Sequence, residues 1–229
     1  MALLGTSKKV KKSKSVGTLT RVLYLAPATE SGYNVCPAST AGCRAACLGH
    51  SSGMMVMPTH KLARIRKTKL YYSDRPGFFA QLRKDVDATV RAAEREGLLP
   101  SIRLNGSSDL PWEVSGIMGD YPAVQFYDYT KIKRRAMASS QVGWPSNYAL
   151  VFSRSGANDA DCLDVLKSGG NVAVVFDHKA PLPATWEGYP VVDGDTHDAR
   201  FLDVRGVVIG LTAKGAAKKD RSGFVVRAE

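Results

Sequence analysis

The segment Asn34-Val-Cys36-Pro-Ala-Ser-Thr-Ala-Gly-Cys43-Arg-Ala-Ala-Cys47-Leu-Gly-His50 places three of the chain's four cysteines within twelve residues, spaced C-x6-C-x3-C-x2-H. Three clustered thiolates without a fourth often hold an iron-sulfur cluster with one open or differently ligated iron, whereas a structural zinc wants four closed ligands. A 4Fe-4S cluster on Cys36, Cys43 and Cys47 is therefore the expected occupant. Zinc is the alternative, because His50 could supply a fourth ligand. A helix beginning over residues 41–48 would set Cys43 and Cys47 on one face as an i, i+4 pair, with β-carbons about 5–6 Å apart. Gly42 would let Cys36 swing over to join them. Arg44 and the helix start would lower the thiol pKa values and favour the deprotonated ligands a metal needs. Cys162, far away in Ala160-Asp-Cys-Leu-Asp-Val165, reads as a half-buried core position and not as a ligand.

A second set of candidates stands just after apolar runs: Asn105 and Asp109, Asp128 and Lys131, Ser153-Arg-Ser155, Asp193 and Asp195, and Lys214. In parallel α/β folds the C-terminal ends of the strands converge on one face, and binding and catalytic groups gather there. The cysteine loop follows the first of these runs, so it should open onto the same face. Asn105, Asp109, Asp128, Lys131, Asp193 and Asp195 are the candidate catalytic residues.

The elements that must position these groups are legible as alternating short β runs and helical patterns. Thr20–Ala26 reads as a first strand ended by Pro27; further runs lie at 101–105, 123–127, 147–152, 171–176, 190–192 and 206–211. Each is rich in β-branched or aromatic residues and bounded by turn formers. A helical stretch carries Leu62, Ile65 and Tyr72, and a longer helix runs from about Pro76 to Gly97 with Phe79, Leu82, Val86 and Val90 at helical spacing. A third covers Asp159 to Lys167. Several connections are too short for a full helix, so the expected fold is α/β, a partial or irregular β/α (TIM-like) barrel. It forms a single domain over residues 18–229, preceded by a flexible basic tail over residues 1–17.

Composition bounds the function. The net charge is +11 with a pI near 9.6, and five lysines (Lys8, Lys9, Lys11, Lys12, Lys14) lie in the tail, leaving +6 for the rest. That balance favours weak attraction to nucleic acid or other polyanions, and Lys131, Lys133, Arg134 and Arg135 could add to it. No apolar stretch reaches the roughly 18–20 residues that span a bilayer, and no secretory signal opens the chain. The expected location is intracellular, without a membrane partner. Four cysteines are too few for a disulfide scaffold, so thiols or metal ligands are expected.

The combination of Asn34-Val-Cys36-Pro37 with Cys43 and Cys47, Arg103-Leu-Asn-Gly106 with Asp109, Phe126-Tyr-Asp-Tyr-Thr-Lys131, Asn171–Phe176, Val192-Asp-Gly-Asp195 and Gly210-Leu-Thr-Ala-Lys214 with Gly223-Phe224 resembles the phage "gene product eighty-eight" family. The resemblance spans nearly the whole chain after the tail. It implies a viral protein working in the host cytoplasm. A looser likeness is to radical S-adenosylmethionine enzymes, which place three cluster cysteines in the loop after the first strand of a partial β/α barrel. Their motif is C-x3-C-x2-C, and the departure here argues against cleavage of S-adenosylmethionine. The leading expectation is a viral iron-sulfur protein in electron transfer, redox sensing or radical chemistry, with a redox partner. The alternatives are a nucleic-acid-binding protein with a structural CCCH-like zinc site and a metal-dependent phosphoryl-transfer enzyme using the carboxylates at the strand ends.

Overall fold

The computed structural model describes residues 1–51 and 53–227. Among these residues ten strands share one sheet: β1 (Leu4–Gly5), β2 (Thr18–Leu23), β3 (Leu99–Arg103), β4 (Gln125–Thr130), β5 (Tyr148–Ser153), β6 (Val172–Phe176), β7 (Thr185–Trp186), β8 (Tyr189–Asp193), β9 (Val208–Thr212) and β10 (Val225–Val226). In space they run β1-β2-β3-β4-β5-β6-β9-β8-β7, with β10 paired to the end of β6. Only β1 on β2 and β7 on β8 are antiparallel; the other pairings are parallel. The fold is thus mixed α/β around a mostly parallel sheet whose central strands follow one another in chain order.

Among the described residues, eight α-helices accompany the sheet: α1 (Lys8–Lys11), α2 (Ala41–Ala45), α3 (Leu48–Ser51), α4 (Pro58–Ser73), α5 (Arg75–Glu96), α6 (Ile117–Asp120), α7 (Lys133–Ala138) and α8 (Asp159–Lys167). The Asp74 side chain caps α5, and Gly97 ends it in the left-handed conformation at φ 64°, where a residue without Cβ is unstrained. Phe78, Leu82 and Val86 of α5 pack with Leu23, Ile102 and Phe126 of β2, β3 and β4 in the larger core. On the same side, α8 buries Cys162, Val165 and Leu166 against Phe152, Val172 and Val208. Cys162 is therefore fully buried rather than half-buried.

The opposite face of the sheet is covered in part by the connection between β8 and β9, which carries a short 3-10 helix over Arg200–Leu202. Residues 194–207, between β8 and β9, cross this face: Phe201 packs on Tyr127 with ring centroids 5.5 Å apart. Asp198 lies fully buried there, accepting from the Tyr127 hydroxyl at 2.9 Å and facing Arg103 at 3.3 Å and Lys9 at 3.2 Å.

The expectation of a flexible tail over residues 1–17 is corrected here. Leu3, Val10 and Ser13 are buried, β1 pairs with β2, and the carboxylate of Asp85 on α5 accepts from the backbone N–H groups of Leu3 and Leu4. The tail's apolar residues sit among its lysines at positions that meet the sheet and α5. Its lysines are partly spent on the same docking: Lys9 on Asp198, Lys14 on Glu96, and Lys12 on the Asp195 carbonyl.

Candidate functional site

The cysteine loop leaves β2 and lies at the C-terminal ends of the parallel strands, fastened there by residues from several of them. The N–H of Gly106, after β3, donates to the Leu23 carbonyl, and the Ser107 hydroxyl donates to the Leu25 carbonyl. Asp109 N–H donates to Val35 O at 2.7 Å, and the Thr40 hydroxyl donates to Ser155 O, after β5, at 3.1 Å. From beyond β9, Ala213 and Ala217 pack on Ala46, and Ser222 fits so closely to Gly42 that a β-carbon there would collide with it.

All four cysteines are free thiols. The expected continuous helix over residues 41–48 is corrected: α2 ends at Ala45, and Cys47 sits in the short link to α3, its N–H bonded to Arg44 O at 3.3 Å. Thr40 starts α2, its side chain accepting from Cys43 N–H at 3.1 Å. The three clustered thiols nonetheless share one electrostatic neighbourhood. Burial pushes the Cys36 thiol up to about 11, and charge on Cys47 or Cys43 would push it further. Burial likewise raises the Cys47 thiol, opposed by the Gly49 N–H and by the cations Lys131 and Arg64. The expectation that Arg44 and the helix start lower these pKa values is thus reversed for Cys36 and Cys47, where burial is the largest influence.

Backbone donors already point at two of the sulfurs. Ala28 N–H donates to Cys36 Sγ at 3.4 Å, and Gly49 N–H to Cys47 Sγ at 3.3 Å. The Cys36 thiol in turn lies 3.7 Å from the Ser107 carbonyl. N–H donors of this kind favour the thiolate over the thiol. A cavity of about 320 Å³ opens beside Cys36, lined by Ala28, Thr29, Asn34, Pro37, Ser39 and Arg44.

The other sequence candidates are distributed differently. His50 is exposed, with Nε2 3.1 Å from the Arg44 carbonyl. Asn105 is consumed by its own loop, its Oδ1 accepting from Ser108, Leu110 and Trp112 and its Nδ2 donating to Leu110 O. Asp109 faces Arg135 at 2.6 Å and accepts from Lys131 N–H. Asp128 is fully buried, accepting from Asn105 N–H and the Tyr148 hydroxyl. Lys131 Nζ donates to the Ser153 hydroxyl at 3.0 Å, on the Cys47 side of the strand ends. Asp193 is exposed and accepts from Asp195 N–H, while Asp195 pairs with Lys214 at 2.6 Å. Among the described residues, no three His, Cys, Asp or Glu side chains are gathered as ligands of one metal ion. The carboxylates expected to bind divalent ions are instead partnered by cations, hydroxyls and backbone N–H groups.

Sequence reasoning passed over the Arg103–Asp198–Tyr127 cluster and the Arg135–Asp109–Glu113 ion pairs. Arg135 was expected to bind nucleic acid, yet it is buried between two carboxylates, and Lys133 is paired with Asp161 and Asp164. Acidic partners more than twenty residues away carried no local signal.

The model of the Gene product 88 family matches residues 2–228. The chain belongs to this phage protein family. No curated protein and no solved structure matches the chain. Because the Gene product 88 match begins at residue 2, it takes in the docked N-terminal segment as well as the sheet. No helix among the described residues of this Gene product 88 chain is long and apolar enough to cross a membrane.

Proposed function

We propose that this chain is an iron-sulfur protein whose 4Fe-4S cluster is held by Cys36, Cys43 and Cys47. The observation that carries the reading is the presence of three free thiols in one loop at the C-terminal ends of the parallel strands, two of them receiving backbone N–H donors. The donor set suits a cluster better than zinc, because three clustered thiols without a fourth cysteine nearby match a cluster with one differently ligated iron, whereas a structural zinc wants four closed ligands.

Bound there, the cluster would supply one-electron chemistry. The residues around it would tune that chemistry: Lys131 and Arg64 offset the negative charge of the thiolates, and the donors at Ala28 and Gly49 stabilise it. We favour electron transfer or redox sensing over cleavage of S-adenosylmethionine, since the C-x6-C-x3-C spacing departs from that of the radical enzymes. The proposal includes a partly closed β/α barrel as the scaffold, supported by the 194–207 connection crossing one face of the sheet from β8 to Tyr127. It also includes the host cytoplasm as the compartment, where a reducing milieu keeps cysteines as thiols.

The test is anaerobic purification with iron, sulfide and zinc analysis. Brown protein with broad visible absorption that bleaches on reduction is expected. Replacing Cys36, Cys43 or Cys47 by Ala should each remove most of the iron, whereas Cys162→Ala should not. Colourless protein with one zinc per chain would overturn the proposal.

A further inference from the structure

Between Glu30 and Asp74 the chain carries no acidic residue but six cations: Arg44, Lys61, Arg64, Arg66, Lys67 and Lys69. This acid-free stretch forms the cysteine loop and α4; Lys61 pairs with Glu30, Arg64 is buried and Lys67 donates to the Leu3 carbonyl, so the charge it leaves at the mouth of the site is the exposed Arg44. The C-terminal segment adds to it. Ser222 and Phe224 seat against Gly42, and Gly215 approaches Ser51, which brings the exposed Lys218, Lys219 and Arg221 beside the exposed Arg44. The one carboxylate in that run, Asp220, is turned inward, accepting from the Ser222 hydroxyl and the N–H groups of Ser222 and Val225. Lys218, Lys219 and Arg221 have no acidic partner among the described residues.

Next to Asn34, one of the residues lining the Cys36 cavity, stands an aromatic pair. Tyr33 and Tyr72 are stacked at 4.1 Å between centroids and 5° between planes, and each is more than a third exposed. The Tyr72 hydroxyl reaches Asn34 O, on the cavity lining, at 3.4 Å. Exposed cations that track a backbone, next to an aromatic face open for stacking, are the two components of single-strand nucleic-acid recognition. A base within a duplex has no free face to offer such a pair.

We propose that the mouth of the cysteine site binds single-stranded nucleic acid, with Arg44, Lys218, Lys219 and Arg221 meeting phosphates and the Tyr33–Tyr72 pair stacking on a base. The surface differs from the docked N-terminal lysines and does not depend on which metal the thiols hold. Exposed apolar side chains on the same loop, Leu48, Val56 and Met57, make an acidic protein the competing occupant, and the experiment separates the two.

Fluorescence anisotropy of the full chain with a labelled oligothymidylate of about 20 nucleotides, its duplex and polyglutamate, from 50 to 300 mM salt, is the measurement. The single strand should bind tightest. Lys219→Gln with Arg221→Gln should weaken it about tenfold and flatten the salt slope by about 1.4, for two lost phosphate contacts. Tyr33→Ala should cost the single strand about tenfold while leaving polyglutamate binding unchanged. Lys8→Gln with Lys11→Gln should change nothing. All these side chains are exposed, so unchanged melting is expected and separates binding from folding. Absence of single-strand binding at 50 mM salt would overturn the proposal. So would equal affinity for duplex or polyglutamate, or a loss that follows Lys8 and Lys11 instead.

Discussion

Asp128 illustrates how a residue that reads as catalytic in a sequence becomes a determinant of stability in a fold. Burial pushes its carboxyl up to about 7, opposed by Arg103, by the Asn105 N–H, by the Tyr148 hydroxyl and by Arg135. The unfolded chain, with an ordinary aspartate near pKa 4, has lost this proton well below that pH. Between about 4 and about 7 the unfolded state therefore binds fewer protons, and the Asp128 contribution makes stability fall as pH rises, by at most ~1.4 kcal/mol per unit. Above the folded pKa the contribution is constant. Asp128→Asn keeps the shape without the charge. The variant should gain on the parent in melting temperature between pH 5 and pH 8, read from thermal melts at pH 5, 6.5 and 8; a difference that does not move with pH would refute the account. Polar identity at the strand ends was legible in Asn105, Asp109 and Asp128. Their partners Arg103, Arg135, Tyr148 and Trp112 were not, because each lies on a different element or across a loop whose geometry no local pattern specifies.

At the scale of elements, the long periodic segments were legible and the short or mixed ones were not. The expected helix from Pro76 to Gly97 is α5, Arg75–Glu96, and the helix Asp159–Lys167 is recovered unchanged. Phe78, rather than the expected Phe79, is the fully buried aromatic at its start. The strands were found with their ends within three residues of the observed ones, except for the two-residue β1, β7 and β10, which are too short to show alternation. The N-terminal segment was misjudged because its lysines mask a sparse apolar pattern: Leu3 and Val10 are buried, and Lys67 Nζ donates to the Leu3 carbonyl at 2.6 Å. Leu3 packs in the larger core with Leu23 and Leu82. Leu3→Ala should therefore destabilise the protein by about 3 kcal/mol, within the range for truncating a buried leucine. Chemical denaturation would measure it, with Lys8→Ala as the exposed control expected to stay within about 0.5 kcal/mol. A cost below about 1 kcal/mol would mean that the segment docks without contributing to stability.

At the scale of the whole molecule, the cysteine loop has no regular scaffold of its own, since α2 and α3 are five and four residues long. Its shape depends on segments far away in the chain, and the C-terminal segment is the one most exposed to perturbation. That segment reaches the site through a close passage at Gly156, where φ is 80° and an added β-carbon would fall 2.7 Å from the Gly223 carbonyl oxygen and 2.9 Å from the Phe224 nitrogen. Backbone atoms cannot turn aside as a side-chain tip can, so Gly156→Ala should displace residues 222–224. With them would go the contact of Ser222 on Gly42 and the packing of Phe224 and Val225 near Ala46. Two readouts follow. Trypsin should cut faster at Lys218, Lys219 and Arg221, which are exposed but held by this docking. If the proposed cluster is bound, iron retained after anaerobic gel filtration should fall even though no thiol has been touched. Gly119→Ala, at a position with open space around it, is the control and should change neither. Faster cleavage with unchanged iron would show that the thiol site is complete without the C-terminal segment, and would confine that segment's role to the basic surface it presents.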